Sequence, residues 1–243
     1  MGRYYVGNLE LDFSESKIHE SKAELLELYW LYHPRFRFIK NTPIHSKFLD
    51  VGAGDGGLQY WKEWRLPPRN DLEMYAIDMQ KGKLFSRYID YQICNLDKEC
   101  IKYDDNYFNV VFISHVLEHI NDETRFILDV NRVLKNGGKL YIEIPTPETI
   151  NYPSRRLFID QGINVSTVNF FDDNSHLKTY DAEELKRLLH SNGFRILEYG
   201  VIENKYIEDK LFSYGIKNND QELLTYSIWS KLRWAQYIIG EKV

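Results

Sequence analysis

Cysteine is nearly missing from this chain: Cys94 and Cys100 are the only two in 243 residues. Their spacing matches neither a zinc site nor a disulfide framework, which excludes a stapled or metal-knit scaffold and fits a reducing cytoplasm. Long apolar runs are missing as well. No stretch approaches the roughly 20 residues of a membrane-spanning helix, no apolar leader follows "MGRYYVGN", and Val6 stands where a myristoylation signal calls for Ser or Thr. A soluble, cytoplasmic protein with no membrane partner is expected.

Positive charge is not in excess: 31 Lys and Arg against 36 Asp and Glu leave a net charge of -5. The bases are scattered, so there is no broad electrostatic footprint for nucleic acid, which is not an expected partner. The nearest approach to one is "RFRFIK", Arg35 to Lys40, which reads as a partly exposed extended segment entering the core. Repeats and low-complexity tracts are also lacking. What the chain has in quantity is apolar and aromatic: 43% hydrophobic residues can bury a full core, and 15% aromatic residues can supply rings to that core and to a ligand cavity. The length fits one domain over residues 1–243, divided as an N-terminal helical extension (1–44), a core (45–145), a covering segment (146–180) and a C-terminal part (181–243).

Residues 14–33 read as an amphipathic helix capped by Ser14 or Ser16 and stopped by Pro34. From Lys47 onward strands and helices alternate. "KFLDV", "MYAID", "YQIC", "FNVVFIS" and "KLYIEIP" are the strands. One helix between the last two is capped by Asn121, places Phe126, Ile127, Val130, Val133 and Leu134 on one face, and ends at "NGG", 136 to 138. Another opens with Asp181 and Glu184 as a capping box, buries Leu185, Leu188 and Leu189, and stops at Gly193. This rhythm predicts an α/β fold, a parallel sheet with helices on both faces. Residues 146–180 are long and irregular, as covers over sites often are. Residues 203–228 read as helical decoration before "RWAQYIIGEK", a final edge strand.

In "KFLDVGAGDGG" a strand runs directly into Gly52, Gly54, Gly56 and Gly57, which permit positive φ and close backbone approach to a ligand. The spacing of Gly52, Gly54 and Gly57 also satisfies a dinucleotide loop, so a dehydrogenase stays open on the glycines alone. Asp50 separates the two readings. A carboxylate there repels a pyrophosphate and attracts an ammonium or a sulfonium. No phosphate-binding Lys follows the glycines, where Leu58, Gln59 and Tyr60 stand. Asp78 ends the next strand, in the position where such sheets place a carboxylate on ribose hydroxyls.

"FLDVGAGDGG", "YAID", "CNLDKECIKYDDNYFNVVFISHVLEHI" and "LKNGGKLYIEIP", in this order and spacing, resemble the class I S-adenosylmethionine-dependent methyltransferases over residues 45 to 200. The resemblance implies a Rossmann-like, mostly parallel seven-stranded sheet with one antiparallel edge strand, and S-adenosyl-L-methionine as cofactor. It further implies that Asp50 and the backbone of Gly52, Ala53 and Gly54 hold the methionine end, and that Asp78 takes the ribose hydroxyls. Met79 would pack on the adenine, Asn95 and Leu96 would contact its edge, and His115 would stand beside the sulfonium. The family commonly has Asp where Asn95 and Asn109 stand; Asn95 still offers a carbonyl acceptor.

"HVLEHI", residues 115 to 120, follows a strand at the sheet's carboxyl edge, and as a helix it would put His115, Glu118 and His119 on one face. Three readings compete: local hydrogen bonding behind the cofactor, a general base drawn from His115, His119 or His176, and a metal site completed by His176. The metal reading looks like the small-RNA 2'-O-methyltransferases and the ubiquinone-pathway O-methyltransferases, whose Glu-x-x-Glu-His string is completed by a downstream His; here His115 replaces the first Glu. The reading adopted assigns catalysis to His115, His119 and His176 and no metal. Tyr152, Arg155, Phe170 and Phe171 join His176 on the covering segment, a mix suited to a polar small molecule with some flat surface. The expected function is O-methylation of a small-molecule or sugar-like acceptor. The alternatives are a metal-assisted RNA or quinone-type O-methyltransferase and a non-catalytic methyltransferase-like binding domain.

Overall fold

In a computed structural model that describes residues 2–64 and 67–243, the apolar runs from Lys47 onward form strands where the period predicts them. The chain divides into two compact units, one of residues 1–36, 145–176 and 201–236, the other of residues 37–144, 177–200 and 237–243.

The first unit opens with a two-stranded hairpin, β1 (Gly2–Val6) and β2 (Leu9–Phe13), antiparallel about a two-residue turn at Gly7 and Asn8. A helix was expected to begin at Ser14 or Ser16. Instead α1 spans Lys22–Leu31, because Ser21 and Glu24 form a reciprocal capping box that neither earlier serine matches. Pro34 does not stop the chain's helicity either. It occupies the first position of α2 (Pro34–Asn41), where a missing N–H has no consequence. "RFRFIK" is therefore helical, not extended, with Phe36, Phe38 and Ile39 buried.

The second unit holds a sheet with nearly continuous burial along its central strands, as expected when both faces are covered. Its strands are β3 (Lys47–Val51), β4 (Glu73–Asp78), β5 (Asp90–Ile93), β6 (Phe108–Ser114), β7 (Leu134–Pro145), β8 (Phe194–Val201) and β9 (Ala235–Lys242). Their order is β5-β4-β3-β6-β7-β9-β8, and the pairings from β5 to β7 are parallel. The N–H of Val243 bonds to the carbonyl of Gly193 and that of Ile202 to Ala235, so β9 runs antiparallel to β8. The last strand is therefore interior and β8 is the edge, opposite to the sequence expectation. A strand that begins "AQYIIG" has no polar face to offer water, and its first six residues are buried.

Between strands run α3 (Leu58–Glu63) and α4 (Glu123–Val133). Asp122, not Asn121, caps α4 by accepting the Arg125 N–H; the Asn121 amide bonds to Asp97 instead. The helix ends at Val133, before "NGG", which forms an irregularity within β7 where its pairing with β6 shifts register. Residues 146–176 contain one short helix, α5 (Arg155–Asp160), and are packed within the first unit: Trp229 and Trp234 stack at 4.1 Å and donate their indole N–H to the carbonyls of Thr167 and Val168. The capping box of α6 (Ala182–Ser191) forms as predicted. The decoration is α7 (Glu208–Asn218) and α8 (Gln221–Leu232). No helix among the described residues is long and apolar enough to cross a membrane.

Candidate active site

The residues expected to hold a cofactor all lie in the second unit, at the carboxyl ends of adjacent parallel strands. Beyond β3 the backbone turns at Gly52 with φ +71°. The Gly52 and Ala53 N–H groups bond back to the Ile77 carbonyl at 2.8 and 3.2 Å, which locks the turn onto β4. Only glycine fits at 52, since a Cβ would lie 2.2 Å from the Val116 side chain. At Gly54 a Cβ would meet nothing within 4 Å, so that stretch of backbone faces open space.

Two carboxylates frame this turn. Asp50 is buried and accepts the Tyr88 hydroxyl at 2.6 Å. Burial, and then the Asp50 charge, push the Tyr88 phenol far above its ordinary value, so it is a fixed donor. Asp78 accepts the Gly54 N–H at 2.8 Å and the Gln80 N–H at 3.1 Å, which orients a carboxylate that keeps free lone pairs toward solvent. Met79 follows it, 64% exposed, an apolar ledge beside a polar rim. Leu96 is buried. Asn95 differs from expectation: its side-chain carbonyl already accepts the Asp97 N–H at 3.0 Å in a local turn, leaving one lone pair and the amide N–H groups for a ligand.

"HVLEHI" is not a helix face. His115 takes a left-handed backbone with φ +55° while its N–H still bonds the Glu143 carbonyl, and only Leu117–His119 form a 3-10 turn. This bend brings the His115 ring between two buried carboxylates, with Nδ1 3.2 Å from Glu118 and Nε2 3.2 Å from Glu143. Burial alone lowers an imidazole's pKa, but the two carboxylates outweigh it and raise His115 to about 9. Glu143 is held in turn by the Tyr141 hydroxyl at 2.7 Å. One oxygen of Glu118, Oε2, is buried without a hydrogen bond among the described residues. His119 is half-buried at the end of the turn. His176 belongs to the first unit, where its Nδ1 lies 2.6 Å from the Phe170 carbonyl and its ring packs on Phe170.

Sequence reasoning missed Glu143, Tyr141 and Tyr88. A signal existed for the first: Glu143 is the lone acid in the apolar strand "KLYIEIP", flanked on both sides by Ile, and a buried charge requires a partner. Tyr88 had none, since it lies outside every motif.

An open glycine backbone between two strand-end carboxylates, next to an exposed thioether, fits a ligand that combines cationic and hydroxyl groups with a flat apolar ring. A methyltransferase-domain family model matches residues 21–199. The chain belongs to the class I S-adenosylmethionine-dependent methyltransferases. A solved S-adenosylmethionine-dependent methyltransferase from Archaeoglobus fulgidus shares this methyltransferase fold at TM-score 0.57 and 19% identity, over 91% of this chain and 95% of that one. Another, from Mesorhizobium loti, aligns at TM-score 0.58 and 14% identity, covering 86% and 96%. The human mitochondrial ubiquinone biosynthesis O-methyltransferase is 26% identical over 178 residues, 67% of this chain and 47% of that protein. The ubiquinone/menaquinone biosynthesis C-methyltransferase of Desulfotalea psychrophila is 24% identical, over 65% of this chain and 69% of its own. The chain thus spans about half the length of the human relative.

Proposed function

We propose that the protein transfers the methyl group of S-adenosylmethionine to a hydroxyl oxygen of a small molecule. The observation that carries this reading is the glycine turn pinned between β3 and β4, with Asp50 and Asp78 at the two strand ends. The cofactor, when bound, supplies a methyl group already activated by its sulfonium. Asp50 and the open backbone at Gly52, Ala53 and Gly54 take its methionine end, and Asp78 takes the ribose hydroxyls. Met79 and Leu96 flank the adenine, and the Asn95 amide faces its edge.

With a pKa of about 9, His115 carries a proton at pH 7 in roughly a hundred molecules for each one without. It therefore serves as a cation that fixes Glu118 and Glu143, not as a base. The hydroxyl proton of the acceptor is left to His119, with His176 the other imidazole to test. The acceptor class rests on the names of the two relatives, which makes hydroxylated precursors of quinones the first compounds to try. The Desulfotalea relative favours a second reading, methylation at carbon. A net charge of -5 supports a small molecule over nucleic acid, and free thiols at Cys94 and Cys100 support a reducing, cytoplasmic setting.

Calorimetry with S-adenosylmethionine and with its demethylated product tests the cofactor, and failure to bind either defeats the reading. Transfer of a labelled methyl group to a panel of phenols, quinols and glycosides tests the acceptor, and proton spectra of the product separate O-methyl from C-methyl. Tight cofactor binding with no transfer across the panel would indicate a binding domain. Transfer abolished by chelator and restored by a divalent cation would indicate a metal-assisted reaction.

A further inference from the structure

A cavity of about 210 Å³ lies in the second unit, lined by the C-terminal half of α2, by β8 and β9, and by Lys139 where the regular pairing of β7 with β6 resumes. Lys139 precedes Glu143 on β7, toward the end of the strand away from His115, so this is not the cofactor site. Its lining carries two cations and one acid. Glu198 Oε1 takes a hydrogen bond from Arg37 Nη2 and another from the Tyr237 hydroxyl at 2.6 Å, which leaves one carboxylate oxygen and one unbalanced positive charge. Arg37 also donates to the Tyr237 oxygen at 3.2 Å, while its Nε and Nη1 groups have no partner among the described residues. The half-buried ammonium of Lys139 has none among them either.

The helix end does not offset this. Three of the carbonyls that close α2 are covered, Phe38 by the Thr42 hydroxyl and Ile39 and Lys40 by the buried Arg69 guanidinium. The cavity therefore presents two cations, the Asn41 amide and one carboxylate oxygen of Glu198, so donors outnumber charged acceptors, with apolar walls from Phe38, Leu197 and Ile239. Donors in excess, arranged around a volume of a few heavy atoms, match an oxyanion that accepts several hydrogen bonds at once.

We propose that this cavity binds a small oxyanion, a phosphate monoester or a short carboxylate, between Arg37 and Lys139, separately from the methyl-transfer site. Phosphate and carboxylate share the chemistry, so both are used as probes. Inorganic phosphate and succinate are titrated into the full-length protein by calorimetry at constant ionic strength, alongside Lys139→Gln and Arg37→Gln. Lys139 makes no hydrogen bond or ion pair among the described residues, so K139Q is expected to keep the fold and its cofactor affinity.

Saturable binding is expected for at least one probe, weakened about tenfold in K139Q and at least as much in R37Q, the loss typical of one charge-assisted hydrogen bond. Binding of phosphate alone assigns a phosphate ester, binding of succinate alone a carboxylate, and either supports the site. No saturable binding of either probe overturns it. So does binding that K139Q leaves unchanged, because the anion would then sit elsewhere.

Discussion

Replacing Glu143 by Gln removes one of the two charges that hold His115 protonated, and it does so with little change in shape: the amide oxygen can still accept the Tyr141 hydroxyl. A rise from 6.5 to about 9 corresponds to about 3 kcal/mol of preference for the imidazolium in the folded chain. Because the folded pKa is the higher one, this stabilisation is fully present below about pH 6.5 and disappears as the pH climbs through 9. In the parent chain, urea unfolding at pH 6 and at pH 10 should therefore differ by about 3 kcal/mol from this residue. In E143Q only Glu118 opposes the effect of burial, and the difference should shrink to about 1 kcal/mol or less. The His115 ring resonance gives the same quantity site by site, with a midpoint near 9 in the parent and a lower one in E143Q. A midpoint near the ordinary value in the parent, or an identical pH dependence in both chains, would refute the assignment of His115 as a residue clamped between two carboxylates.

Gly52→Ala meets both a positive φ and the Val116 side chain and should destabilise the fold by more than about 2 kcal/mol, whereas Gly54→Ala opens onto free space and should cost about 1 kcal/mol. Thermal melts of equal depression would contradict the geometry of the turn. Tyr88→Phe removes the hydroxyl that donates to buried Asp50 and should lower stability by about 1–3 kcal/mol in chemical denaturation, with cofactor affinity falling in parallel. Arg69→Met tests the acid limb. The Arg69 guanidinium holds the Asp71 carboxyl well below the usual carboxylate range, a contribution present above about pH 4 and lost on acidification, so the variant's stability should vary less between pH 5 and pH 2.

The sheet was legible because its strands are buried on both faces. An apolar run such as "FNVVFIS" bounded by turn residues has few other ways to fold, and the glycine turn follows from the strand that enters it. The N-terminal hairpin is equally written in the sequence, in the alternation of "GRYYV" and "LELDF" about Gly7 and Asn8, a two-residue turn signal, although a helical extension was expected there. The helix boundaries at Ser21 and Asp122 depended on which of several eligible caps made its bond, and spacing alone does not rank them. The place of β9 is different in kind. Strand order depends on which edges meet in space, and nothing local to "AQYIIGEK" distinguishes an edge from an interior position except its lack of a polar face.

By itself, then, the sequence determined the alternation of strands and helices, the glycine turn, and the two strand-end carboxylates Asp50 and Asp78, all of which are properties of contiguous residues. Only the tertiary structure decided the chemistry of His115. Glu118 is three residues away and could be guessed, but Glu143 reaches the ring from the neighbouring strand, and the left-handed bend at His115 is what lets one imidazole meet both carboxylates. A protonation state is set by every charge within a few ångströms, whatever its distance along the chain, so the step from a possible base to a clamped cation could be taken only in three dimensions.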